Sequence, residues 1–229
     1  MSGAILVIAG VLLLTLGLPR LIAATTLAPW SDVRQALDDG TKLEPDRLEQ
    51  AYDAYGRALS WTPGDDVLLA DRARIARRLT RMSDAPAQVK VFQQSALADL
   101  RAAAAAAPGN GFVWAMLADA KLEVGYDLAS VSDDLKMSWL VGPYKASAML
   151  VRLRIVLARW ETAPPELREA ALNDFAAAWP AFRLRRVLAE NYVAAGLPAR
   201  AAIRDRLQIT PDVLPAFDAL VRRITRPKR

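Results

Sequence analysis

The 229-residue chain contains no cysteine and no histidine. The first absence excludes disulfides, thiolate metal sites and cysteine nucleophiles. The second removes the commonest general base and the commonest metal ligand, and with them Ser-His-Asp catalysis and zinc sites built on histidine. Carboxylate, lysine, tyrosine or Ser-Lys chemistry stays open. Aromatic residues are few, and no stretch alternates apolar with polar side chains as a half-buried strand would. The patterns GxSxG, SxxK and GxGxxG do not occur. "PGNG" at 108–111 lacks the lysine and the spacing of a P-loop and follows a helix rather than a strand, so it reads as an inter-helix turn.

What the chain does have is alanine, leucine and arginine in helical order. Apolar residues recur every three to four positions over about 45–61, 65–82, 86–107, 111–124, 129–141, 145–160, 164–178, 182–195, 198–207 and 211–224. Met149, Leu153, Val156 and Trp160 make one such stripe. The breaks carry Pro63-Gly64, Pro108-Gly109, Gly142-Pro143 and Pro164-Pro165, with Gly196 placed to close one helix and Pro198 and Pro211 to open the next two. The expectation is an all-α protein.

The N-terminus is a different material. "GAILVIAGVLLLTLGLP" holds seventeen residues without a charge before Arg20, a helical length of about 25 Å and near the lower limit for crossing a bilayer. A transmembrane anchor over 1–30 is therefore expected, with residues 31–229 as one helical domain. Arg20 and Trp30 would stand at the membrane interface, and the N-terminal helix would contact lipid. A cleaved signal peptide is the rival reading, although "MSG" has no basic n-region.

Two segments share a spacing. "AYDAYGRALSWTP" carries Ala51, Tyr55, Ala58 and Pro63, and "ALADLRAAAAAAP" carries Ala96, Leu100, Ala103 and Pro108. The order small, bulky, small, proline resembles the second helix of a tetratricopeptide (TPR) repeat. After Pro108, Trp114, Leu117 and Ala118 stand where that repeat's first helix carries Trp-x-x-Leu-Gly/Ala, which would make Trp114 a packing wedge. The resemblance covers about 46–143 and departs from the pattern at Lys121. The prolines at 63 and 108 are also 45 residues apart instead of the repeat's usual 34. It implies a solenoid of antiparallel helix pairs.

A looser resemblance in layout connects the apolar N-terminus, "ALSWTPGD" and "LKMSWLVGPYKASAMLVRLRIVLARW" with bacterial accessory proteins of exopolysaccharide biosynthesis. That resemblance implies a single-pass inner-membrane protein with a periplasmic helical domain. Arg20 and Arg34 argue for the cytoplasmic side instead, and the periplasm is narrowly preferred.

Charge is distributed unevenly. Residues 182–229 hold eleven basic and four acidic side chains, whereas 1–110 balance at twelve each. On "DRARIARRLTRM", Arg74, Arg77, Arg78 and Arg81 share a helical face that could dock an acidic partner or simply be solvated. The tail "RRITRPKR" adds Arg222, Arg223, Arg226, Lys228 and Arg229, either a lipid-attracting cluster or a frayed terminus. No basic pattern interleaved with aromatics points to nucleic acid. The adjacent pairs Asp38-Asp39, Asp65-Asp66 and Asp133-Asp134 diverge on a helix and read as caps and turn residues.

No catalytic residue, metal site or cofactor is expected. The functional expectation is a non-catalytic scaffold or accessory subunit that binds other subunits of an inner-membrane assembly, with polysaccharide production as its setting. Two alternatives stay open: a carboxylate-dependent glycan-processing enzyme drawing on Glu123, Glu166, Glu169 or Glu190, and a small-ligand-binding helical module.

Overall fold

A computed structural model describes residues 15, 17–208 and 213–226. The described residues form helices joined by turns and short loops, with no strand among them. They form two compact units that divide between Pro108 and Gly109, inside the stretch that carries the TPR resemblance.

In the first unit, residues 17–27 are helical (α1), a 3-10 turn covers Ala28–Trp30, and α2 (Ser31–Asp39), α3 (Pro45–Trp61), α4 (Asp66–Met82) and α5 (Pro86–Ala106) follow. Proline opens α3 and α5 at the first helical position, where its missing N–H costs nothing. Asp65 caps α4, its carboxylate accepting from the N–H groups of Val67 at 3.1 Å and Leu68 at 3.0 Å. The left-handed turn after α2 falls on Gly40, at φ 74°. Helix α4 lies between α3 and α5. Its buried side chains include Ala70, Ala73 and Ala76, small enough for neighbouring helices to approach closely. Ala51, Tyr55 and Ala58 on α3 and Ala96, Leu100 and Ala103 on α5 are all buried, so the small–bulky–small spacing marks the packed faces of those helices.

The expected transmembrane anchor over 1–30 is corrected by this structure. Among the described residues no helix is long and apolar enough to cross a membrane. A 3-10 turn at Ala28–Trp30 interrupts the helix, Ala23 is buried, and Arg47 donates to the Pro29 carbonyl at 2.8 Å. The single-pass membrane localisation falls with the anchor. The rest of the apolar run, residues 1–14 and 16, lies outside the described residues.

The second unit contains α6 (Gly111–Glu123), α7 (Ser132–Val141), α8 (Ala146–Ala158), α9 (Pro165–Ala178), α10 (Phe182–Ala194), α11 (Leu197–Gln208) and α12 (Val213–Thr225). Helix α8 is central and touches α6, α9 and α10, while α12 closes the unit against α10 and α11. Its core runs from Leu122 and Leu135 through Met149, Leu153, Val156 and Trp160 to Phe175 and Phe217. Phe217 is fully buried and meets the rings of Phe175, Trp179 and Tyr192 edge-on, at centroid distances of 6.0, 5.3 and 4.8 Å.

One arginine sits inside this core. Arg152 has no exposed surface. Its Nε and one terminal nitrogen donate to the two oxygens of Asp174, at 2.8 and 3.0 Å. The remaining donors reach the Ser138 carbonyl and hydroxyl and the carbonyls of Gly142 and Pro143. Trp139 Nε1 donates to the same carboxylate at 2.9 Å. Burial of Asp174 pushes its pKa up, opposed by its bonds to Arg152 and Trp139. Beside this knot Gly111 meets Gly142 backbone to backbone: a Cβ on Gly111 would lie 2.8 Å from Gly142 Cα and 2.8 Å from the Ser138 carbonyl. The Ser138 hydroxyl donates to the Gly111 carbonyl at 2.6 Å. The "PGNG" glycine at 111 is therefore a helix-packing glycine.

Candidate functional site

The arginine face expected to dock a partner is largely engaged within the first unit. Arg74 pairs with Asp71 at 3.1 Å and Asp38 at 2.7 Å. Arg78 donates to the carbonyls of Ala36 at 2.6 Å and Thr41 at 2.7 Å, which pins the end of α2 to α4. Arg77 is buried, and Arg81 is the exposed member of the four. Desolvation raises the Asp71 carboxyl pKa, against the pull of Arg74 and Arg34. Burial, followed by the nearby Asp71 charge, pushes the Tyr55 phenol up to about 12. These groups form an internal electrostatic node.

Arg20 and Trp30, expected at a membrane interface, instead line a cavity of about 340 Å³ with Ala23, Leu27, Arg34 and Tyr55. The Trp30 ring receives the Arg47 guanidinium at 4.0 Å, and Arg47 also pairs with Asp32 at 2.8 Å.

The acidic candidates are dispersed. Asp65 is a cap, and Asp134 accepts from Lys121 Nζ at 2.6 Å. Glu169 pairs with Arg206 at 2.5 Å, Glu190 with Arg186 at 2.8 Å, and Glu166 lies 4.0 Å from Lys136. Among the described residues no group of three or more acidic side chains could hold a metal ion.

A more coherent site lies in the second unit. Helices α10 and α12 enclose a groove of about 760 Å³. Ala216, Ala219, Leu220 and Ile224 supply its aliphatic side, the i, i+3, i+4, i+8 face of α12. Arg183, Arg185, Arg186, Arg223 and Arg226 line it, with Glu190 as the single carboxylate, already paired with Arg186. Trp179, which is buried, and Phe182, with 81% of its surface exposed, complete the lining.

Arg223 and Arg226 belong to the basic tail picked out in the sequence; Lys228 and Arg229 lie outside the described residues. Sequence reasoning missed Arg183, Arg185 and Arg186. The surplus of basic residues after 182 was the available signal, but only the fold brings "FRLRR" alongside the last helix. Groove and basic lining define a helical protein with an anion-attracting cleft. No known protein family, curated protein or solved structure matches the chain.

Proposed function

We propose that the chain is a non-catalytic binding subunit that docks an acidic segment of a protein partner in the α10–α12 groove. One observation carries this reading: a cleft of about 760 Å³ whose charged lining is five arginines against one paired glutamate, with an aliphatic floor. Charge of one sign raises the local concentration of an oppositely charged ligand and speeds its encounter, while apolar surface supplies burial energy. A concave slot between two helices suits an inserted chain segment better than a flat surface. The floor is built of alanine, leucine and isoleucine, which offer no hydrogen bonds to base edges, so nucleic acid is the poorer occupant.

A photo-crosslinking residue at Ala219, in the groove, and one at Ala177, exposed on α9, test the reading in cells. Adducts from position 219 alone, mapping to an acidic segment and lost in R183E/R223E, are expected. Adducts of equal yield from both positions, or from 219 regardless of the charge reversal, would remove the groove from the account.

A further inference from the structure

The arginines of the groove are not equivalent. Arg185 Nε donates to the Trp179 carbonyl at 3.1 Å. Its guanidinium carbon lies 5.2 Å from the centre of the Trp179 ring and 5.8 Å from that of Phe182. These contacts hold the guanidinium by one N–H and two aromatic rings. Its two terminal amino groups have no hydrogen-bond or ion-pair partner among the described residues. Arg186 is committed to Glu190, and Arg183 and Arg223 have no comparable restraint among the described residues.

A planar guanidinium offers parallel N–H groups that match the two oxygens of a carboxylate. Most of the cost of such a contact is the rotamer freedom lost by a long side chain. At Arg185 the Trp179 carbonyl and the two rings have already removed much of that freedom.

We propose that Arg185 is the carboxylate anchor of the groove, its terminal amino groups gripping an Asp or Glu side chain of a partner peptide. An apolar side chain of the same peptide then lies on Ala219, Leu220 and Ile224. The recognised ligand is an acidic-apolar peptide segment. This inference rests on the groove being the partner site. The carboxylate is favoured over a phosphate dianion because only one guanidinium here is pre-oriented, and one fork matches two oxygens rather than three.

The test uses the full chain and fluorescein-labelled dodecapeptides that place two or three Asp or Glu beside Leu or Phe. Asn/Gln counterparts and phosphoserine versions with an otherwise neutral sequence accompany them. Affinity is read by anisotropy, and engagement by the arginine Nε–Hε resonances of labelled protein. Acidic-apolar peptides are expected to bind and to shift the Arg185 resonance, and amide counterparts to bind about tenfold more weakly. R185K keeps the charge but loses the fork, so about tenfold weaker binding is expected, against less than about threefold for R183K. F182A alters only an exposed ring and leaves every charge in place. It guards against a folding defect in R185K and is expected to weaken binding about threefold by releasing the guanidinium.

Full-strength peptide binding by both R185K and F182A, with loss in R183E/R223E, would overturn the anchor and leave the groove reading intact. Preference for phosphoserine over Asp or Glu would overturn the carboxylate assignment. Failure of every acidic peptide to move a groove resonance would overturn both.

Discussion

Replacing Arg152 by methionine is the most demanding test of the account of the second unit. The side chain is fully buried and makes two bonds to Asp174, two to Ser138, and one each to the carbonyls of Gly142 and Pro143. Methionine fills much of the volume and leaves Asp174 buried with only Trp139 as donor. Removing one member of a buried ion pair costs about 3–5 kcal/mol, because the abandoned charge keeps its desolvation penalty. At roughly 4 °C per kcal/mol for a unit of this size, the expected fall in Tm is roughly 10–20 °C. Thermal unfolding followed by tryptophan fluorescence reads the shift and urea unfolding the free-energy loss, since Trp139, Trp160 and Trp179 all report on this unit. The double variant R152M/D174L removes both charges. It is expected to regain more than half of the loss, because an apolar pair of similar volume often replaces a buried ion pair at little net cost. A loss below about 1 kcal/mol in R152M, or a double variant less stable than the single, would refute the view that Arg152 and Asp174 act as one buried pair.

Other outcomes follow from separate parts of the molecule. Gly111→Ala forces a methyl to within 2.8 Å of Gly142 Cα and the Ser138 carbonyl, and should cost about 1–3 kcal/mol by overpacking, measured by urea denaturation. Phe217→Ala removes the ring on which Phe175, Trp179 and Tyr192 converge and should cost about 3–5 kcal/mol, with amide exchange accelerated first in α12. The Tyr55 phenol, pushed from its ordinary 10 to about 12, contributes stability that is intact below pH 10 and lost as pH rises through about 12. Alkaline denaturation of wild type and Tyr55→Phe should therefore diverge only above pH 10. The Asp71 carboxyl is also raised, so the folded state takes up its proton more readily than the unfolded chain does. Wild type should then gain stability relative to D71N as pH falls from 7 through the native carboxyl's raised range, in parallel urea titrations; a gap independent of pH would contradict the burial of Asp71.

Much of the architecture is legible in the sequence. The helices expected from periodicity over 45–224 agree with α3–α12 to within three residues at each end. Pro45, Pro86 and Pro165 open helices, and Asp65 caps one. The stripe Met149, Leu153, Val156 and Trp160 is buried as its spacing requires. Helix positions are readable because backbone hydrogen bonding, capping and the 3.6-residue period act within a few residues of chain.

The signs of the site were only half visible. Arg152 falls three residues after Met149 and four before Val156, on the buried face of α8, yet its charge argued for water. Its burial depends on Asp174 and on the Gly142–Pro143 turn, partners that α9 and the end of α7 bring to it. The same holds for Arg74 and Arg78, whose outward-looking helical face is met by Asp38 and by the carbonyls at the end of α2. The apolar run before Arg20 suggested a membrane because hydropathy is summed along the chain, and of that run the structure describes only residues 15 and 17–19. In the described part, Pro29 and the 3-10 turn end the helix, and Ala23 is buried in the protein.

By itself, then, the sequence determined the helices from α3 onward to within three residues at each end, though not α2, and that no histidine or cysteine chemistry is possible. The tertiary structure alone decided which arginines are neutralised inside the units and which line the α10–α12 groove. It joins "FRLRR" of α10 to the last helix, nearly forty residues on, to make one basic groove. The physical reason is range: local periodicity sets a side chain's direction, but the partner that meets it there comes from a distant part of the chain.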